Sequence, residues 1–180
     1  MELVAPCYII IPSLVIYLQI NKYYMRILMV CLGNICRSPL AEGIMQRKIQ
    51  ENNLDWVVDS AGTIGYHTDA QPDERSVHIA KKHGIDISAQ RGRKFNYGDF
   101  ELFDLILVMD SMNYQDILIQ AISEEEKSKV QLIMNFVSPG RNIAVPDPYF
   151  GCDDGFEKVY EMLDQACDRV IEKNGETIKN

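Results

Sequence analysis

A thiol and a guanidinium stand six positions apart in Val30-Cys31-Leu32-Gly33-Asn34-Ile35-Cys36-Arg37-Ser38-Pro39. Cys31 is a candidate nucleophile, because the thiolate of cysteine attacks electrophiles readily. A free thiol of pKa about 8.5 is mostly protonated at neutral pH, so its surroundings must favour the anion. Arg37 is a candidate anion clasp, since its planar fork holds two phosphoryl oxygens at once where a lysine offers one point charge. The positions between them supply the rest. An apolar run from Arg26 to Val30 leads into the stretch and a helical pattern starting near Ser38 leaves it. A turn between a strand and a helix N-terminus aims backbone N–H groups at one point, and the helix dipole adds positive potential there. The amides of Leu32, Gly33, Asn34, Ile35, Cys36, Arg37 and Ser38 are therefore expected to bind phosphate, with the Ser38 hydroxyl assisting the thiol. Such settings lower thiol pKa values to roughly 3.5–7.5. Gly33 and Asn34 tolerate positive φ in a tightly wound loop, and the Asn34 amide can pin it from inside.

A Cys-x5-Arg spacing alone carries little weight, because chance produces it in roughly one chain in five of this composition. Ser38 directly after the arginine reduces that to about one in a hundred. The bland alternative is a buried structural Cys31 with a surface Arg37. Far downstream, Asp147 lies between Pro146 and Pro148, which makes its segment an extended loop. Taken alone, such an aspartate is a turn residue.

Cys31-Leu-Gly-Asn-Ile-Cys-Arg-Ser-Pro-Leu-Ala-Glu42 resembles the phosphate loop and first helix of the low-molecular-weight protein tyrosine phosphatases. Asp147-Pro148-Tyr149 resembles the general-acid segment of that family, and Asp59-Ser60-Ala61-Gly62-Thr63 with Tyr66-His67 resembles its second loop. The three motifs occur in the family's order, over about residues 25–173. The resemblance implies metal-independent, cofactor-free hydrolysis in two steps. Cys31 takes the phosphoryl group, Arg37 binds it, and Asp147 protonates the leaving oxygen before deprotonating water, a contribution of typically 10²–10⁴-fold. It further implies that Tyr66 and Tyr149 wall the substrate cleft. Ser60 and His83 would buttress Asn34, and Cys31 and Cys36 would form a protective disulfide on oxidation. Without the resemblance, Tyr66 reads as a surface tyrosine and His83 as a partner for a helix C-terminus. The chain departs from the vertebrate members after Asp-Pro, where they carry two tyrosines and this chain has Tyr149-Phe150.

The elements that must position these residues follow from periodicity. Leu40, Ile44, Met45 and Ile49 predict a first helix from about Ser38 to Glu51, and residues 55–59 a second strand. Trp56 reads as a core or strand-edge residue. Pro72 starts a second helix that stops at Gly84. Arg91, Arg93 and Lys94 read as a solvated basic face. Residues 104–109 form a near-continuous apolar run, typical of a strand covered on both faces. Asp110 stands at that strand's C-terminal end, where it serves either Arg37 and the cleft or the N-cap of the next helix. A polar helical stretch at 124–129, a fourth strand at 130–134 and a last helix over about 154–173 complete the pattern, with Cys167 in the core. Alternating strands and helices predict one α/β domain: a four-stranded parallel twisted sheet, helices on both faces, and the phosphate loop between the first strand and the first helix.

The 180 residues carry a net charge of −8, which argues against nucleic acid as a partner and confines any anion site to a local pocket. Five cysteines without zinc-ribbon spacing, one of them a proposed reactive thiol, suit a reducing cytoplasm. Residues 1–24 precede the catalytic domain assigned to 25–175, and 176–180 form a polar tail. The uncharged run from Leu3 to Asn21 is interrupted by Pro6 and Pro12 and opens on Met1-Glu2. An upstream extension or misassigned start, a membrane anchor and a cleaved signal all stay open, and membrane association follows only from the second. Met25 would be a normal beginning for the family, which favours the first.

The expected substrate is phosphotyrosine in proteins or a small aryl phosphate. A protein-arginine phosphatase of the same fold is the alternative, its loop carrying Thr where this one has Ile35. An arsenate reductase needs two further redox cysteines on a segment within residues 75–110, which contains none. A non-catalytic phosphoprotein-binding module predicts loss of Cys31, Arg37 or Asp147, and all three are present. A nucleoside triphosphatase is excluded for want of a Gly-Lys-Ser/Thr loop.

Overall fold

The computed structural model describes residues 24–149 and 153–175. The extension up to residue 23 with Cys7, the positions of Phe150 and Cys152, and the 176–180 tail lie outside the described residues.

Strand β1 (Met25–Cys31) is apolar over Ile27–Cys31 and every one of those five residues is buried. It occupies an inner place in a four-stranded sheet of order β2-β1-β3-β4, with β2 (Trp56–Gly62), β3 (Leu105–Val108) and β4 (Val130–Leu132). All pairings are parallel: Cys31 lies beside Gly62, and Val30 lies beside both Ala61 and Val108. Parallel strands need crossovers, and helices supply them: α1 (Arg37–Glu51), α2 (Glu74–Lys82), α3 (Asp99–Leu102), α4 (Ser111–Leu118), α5 (Glu124–Lys129) and α6 (Asp153–Gly175).

The alternation of side chains along β1 divides the core in two. Ile27 and Met29 face Leu40 and Ile44 of α1 and Leu163, Cys167 and Val170 of α6. Leu28 and Val30 face the opposite way, towards Phe95, Phe100, Phe103 and Ile117. Both faces are therefore covered, which is why the strands read as continuous apolar runs. Trp56 and Cys167 belong to the first of these cores.

The boundaries differ from expectation where tertiary contacts intervene. β2 continues to Gly62 because the Gly62 N–H bonds the Arg93 carbonyl, and the Phe95 N–H bonds the Gly62 carbonyl. β4 stops at Leu132, and the chain tightens into a 3₁₀ turn (Ile133–Phe136) that buries Ile133 and Met134. α2 begins at Glu74 rather than Pro72, with Asp73 as its N-cap accepting from the Arg75 N–H. α5 forms from a polar stretch because Ser123 and Glu126 make a reciprocal capping box. The short α3 was not expected. Among the described residues, no helix is long and apolar enough to cross a membrane.

Candidate active site

β1 delivers Cys31, 3% exposed, to the C-terminal edge of the sheet, and α1 starts six residues later with Arg37, also 3% exposed. The carbonyls of the intervening loop are tied outward. Cys31 O accepts from Thr63 N–H (2.9 Å), Leu32 O from Ile64 N–H (3.1 Å), and Ile35 O from Asp73 N–H (2.8 Å). Cys36 O accepts from the Ser76 hydroxyl (3.2 Å). In a trans peptide the C=O and N–H point opposite ways, so the amides of Leu32, Gly33, Cys36 and Arg37 turn inward. Asn34 closes the turn at φ 56°.

Asn34 is buried, and its side chain is the loop's internal pin. Nδ2 donates to Ser38 Oγ (2.9 Å) and to Ser60 Oγ (2.8 Å), while Oδ1 accepts from the Arg93 N–H (2.9 Å). Ser60 Oγ in turn donates to Glu42 Oε2 at 2.6 Å. Burial pushes the Glu42 carboxyl up to about 7, against the Ser60 hydrogen bond that lowers it. Ser38 Oγ lies 3.1 Å from Cys31 Sγ. Once the sulfur is ionised it has no proton to give, so the hydroxyl is the donor.

Arg37 is held from two sides. Nη1 donates to Asp110 Oδ2 (2.6 Å) and to the Val145 carbonyl (3.2 Å), and Nη2 to Asp147 Oδ2 (3.1 Å). Burial opposes its charge, but Cys31, Asp110 and Asp147 outweigh that, and its pKa lies above the ordinary arginine range. Asp110 does both things expected of it as alternatives, because its Oδ1 also accepts the Asn113 N–H and caps α4. Asp147 reaches the loop from 110 residues away. Val145 N–H bonds Met109 O (2.8 Å), which anchors the acid loop to the end of β3.

A cleft of about 220 Å³ opens over Cys31 and is flanked by Ile64, Tyr66, His67, Asp147 and Tyr149. Tyr66 is 84% exposed and meets His67 edge-on at 4.9 Å. Ile35 and Cys36 line the cleft floor. Cys36 is buried and free, and that burial, with Asp73, Cys31 and Asp147 nearby, pushes its thiol up to about 12.

Two expectations are corrected. His83 does not support Asn34. Its ring stacks on Tyr160 at 3.7 Å and its Nε2 lies 2.6 Å from Glu157 Oε1, so it joins α2 to α6. As the C-cap of α2, His83 departs towards whichever helix packs there, and that is α6. Arg93 is not a solvated charge. It pairs with Asp59 (2.8 Å) and Asp99 (3.1 Å) while its backbone holds Asn34. Sequence reasoning missed Glu42 in this network, although a residue four beyond Ser38 on a helix shares its face.

Residues 26–179 match the family described as low molecular weight phosphotyrosine protein phosphatase. The human low molecular weight phosphotyrosine protein phosphatase is 38% identical over 150 residues, which is 82% of this chain and 94% of that protein. A crystal structure of a protein tyrosine phosphatase from Entamoeba histolytica superposes with a TM-score of 0.79 at 39% identity, covering 84% of this chain and 97% of that one. A Drosophila arginine phosphatase structure gives 0.77 at 32% identity, covering 83% and 97%.

Proposed function

The chain belongs to the low molecular weight phosphotyrosine protein phosphatase family and is a phosphotyrosine hydrolase, and we propose that it works through Cys31, Arg37 and Asp147. The Cys31 thiolate attacks phosphorus while the bond to the phenolic oxygen breaks, and Asp147, as the carboxylic acid, gives its proton to that oxygen. The phosphoryl group then sits on sulfur, its oxygens bonded to the loop amides and the Arg37 fork. Asp147, now a carboxylate, takes a proton from water as the water oxygen bonds to phosphorus and the thiolate leaves. The Ser38 hydroxyl donates to the sulfur whenever it is anionic, so it favours thiolate over thiol before attack and lowers the barrier to the thiolate's departure.

The observation that carries this reading is that Arg37, held at 2.6 Å by Asp110 and 3.1 Å by Asp147, lines one cleft together with Asp147 and Cys31. Tyr66 and Tyr149 make walls suited to a planar aryl ring, so phosphotyrosine proteins and small aryl phosphates are the substrates of choice. Cys36, neutral at physiological pH, serves as the resolving thiol once Cys31 has been oxidised. Free thiols at Cys31 and Cys36 suit a reducing compartment, which supports a cytoplasmic location, and the net charge of −8 argues against nucleic acid as a partner.

The test compares wild type, Cys31→Ser and Asp147→Asn on phosphotyrosine, phosphoserine and phosphoarginine peptides. Cys31→Ser is expected to abolish turnover, and Asp147→Asn to lower it by about 10²–10⁴-fold. Wild-type rates from Cys31→Ser overturn the mechanism, and faster release from phosphoarginine reassigns the substrate.

A further inference from the structure

Arg75, though about a third exposed, makes its hydrogen bonds and ring contacts with neighbouring segments of the fold. Its Nε and Nη2 hold Asp73 in a two-pronged grip, each at 2.9 Å. Nη1 donates to the backbone carbonyl of Tyr149 at 3.1 Å. The guanidinium carbon lies 4.6 Å from the Phe156 ring centroid and 5.6 Å from that of Tyr149. Asp73 is itself bonded to the phosphate loop, through its N–H to the Ile35 carbonyl. One hydrogen-bonded path thus runs from Ile35 through Asp73 and Arg75 to Tyr149, whose N–H bonds Asp147 Oδ1 at 3.1 Å.

Between Val145 and Tyr149 the acid loop carries Asp147 in the middle. Val145 secures its near end to Met109 and to Arg37. On the other side of Asp147, at Tyr149, Arg75 takes hold. Two prolines make the loop stiff, so an error at either end moves Asp147 rather than being absorbed between them. Protonating a leaving oxygen requires hydrogen-bond reach, and a displacement of about 1 Å costs on the order of 10²-fold.

We infer that Arg75 is a positioning residue that clamps the acid loop to the phosphate loop and sets Asp147 against the leaving oxygen. The inference rests on Asp147 being the general acid. A lysine cannot replace it, because one ammonium cannot grip both Asp73 oxygens and the Tyr149 carbonyl in one plane.

The experiment measures kcat/KM over a series of aryl phosphates running from acidic to weakly acidic phenols. A phenol that leaves unaided does not need the acid, so a misplaced acid shows only with poor leaving groups. Arg75→Ala and Arg75→Lys are expected to lose less than about twofold with the most acidic phenol and about tenfold or more with the least acidic. Asp73→Asn, which keeps an N-cap for α2, is expected to shift the slope in the same direction. Inhibition by inorganic phosphate should be unchanged, because the phosphate loop keeps its own amides. In an Asp147→Ala background, Arg75→Ala should add no further slope.

An equal loss across the series, or a slope that Arg75→Ala steepens even without Asp147, overturns the inference. If Arg75→Ala is flat while Asp147→Ala is steep, the clamp alone is wrong. If Asp147→Ala is also flat, the acid assignment falls with it.

Discussion

Glu42 is a carboxyl that burial holds partly protonated at neutral pH, two hydrogen bonds from the pin of the phosphate loop. Its pKa is about 7 in the folded chain against an ordinary 4.5, with Asp59 adding to the rise and Arg93 opposing it. Between those values the folded state holds a proton that the unfolded state has released. Stability from this group is therefore complete below about pH 4.5 and is lost as pH climbs through 7, by about 3 kcal/mol in all. Glu42→Gln keeps the shape and a hydrogen-bonding partner for Ser60 but cannot ionise. Urea unfolding at pH 5 and pH 8 should show a smaller drop for the variant than for wild type, by about 2–3 kcal/mol. Equal drops would mean that Glu42 ionises freely. The residue scale also shows what a motif conceals: Asn34, Ser38 and Cys31 are near neighbours in the chain, whereas Ser60 and Arg93 meet Asn34 only through packing.

At the level of elements, the phosphate loop keeps its shape because its outer face lies on the strand-to-loop junction after β2. Gly62 makes that approach possible. A Cβ there would stand 2.8 Å from the Leu32 carbonyl oxygen and 3.0 Å from the Gly33 carbonyl carbon, both backbone atoms without freedom to swing aside. Gly62→Ala is expected to push the loop away from β2, costing about 1–3 kcal/mol of stability. It should also lower kcat/KM by about tenfold or more, because the amides would no longer converge. A crystal structure or assay showing an unmoved loop and unchanged kinetics would remove Gly62 from this role. The elements themselves were largely legible in the sequence: β1, α1, β3 and α6 carry strong periodic patterns. The ends of β2 and β4 were not, since bonds to Arg93 and Phe95 lengthen one, and a turn packed under α6 shortens the other.

The whole molecule separates stability from chemistry. Leu163 on α6 is fully buried in the core beneath α1, on the face of the sheet away from Phe95 and Phe100. Leu163→Ala should cost about 2–5 kcal/mol in denaturant unfolding while leaving kcat/KM within about twofold at temperatures where the protein is folded. A large kinetic loss without destabilisation would show that α6 shapes the site directly. The same scale explains what could be read in advance. The eight contiguous residues from Cys31 to Ser38 were sufficient by themselves for the phosphate loop, because chain connectivity holds thiol, amides and guanidinium together and a strand before and a helix after dictate the turn. The bridge from Arg37 to Asp147, the use of Asp110 for both Arg37 and the α4 cap, Arg93 at Asn34, and His83 at α6 were decided by tertiary structure. Such pairings join positions tens of residues apart, and no local period records which strand end or helix face the packed core will bring opposite them.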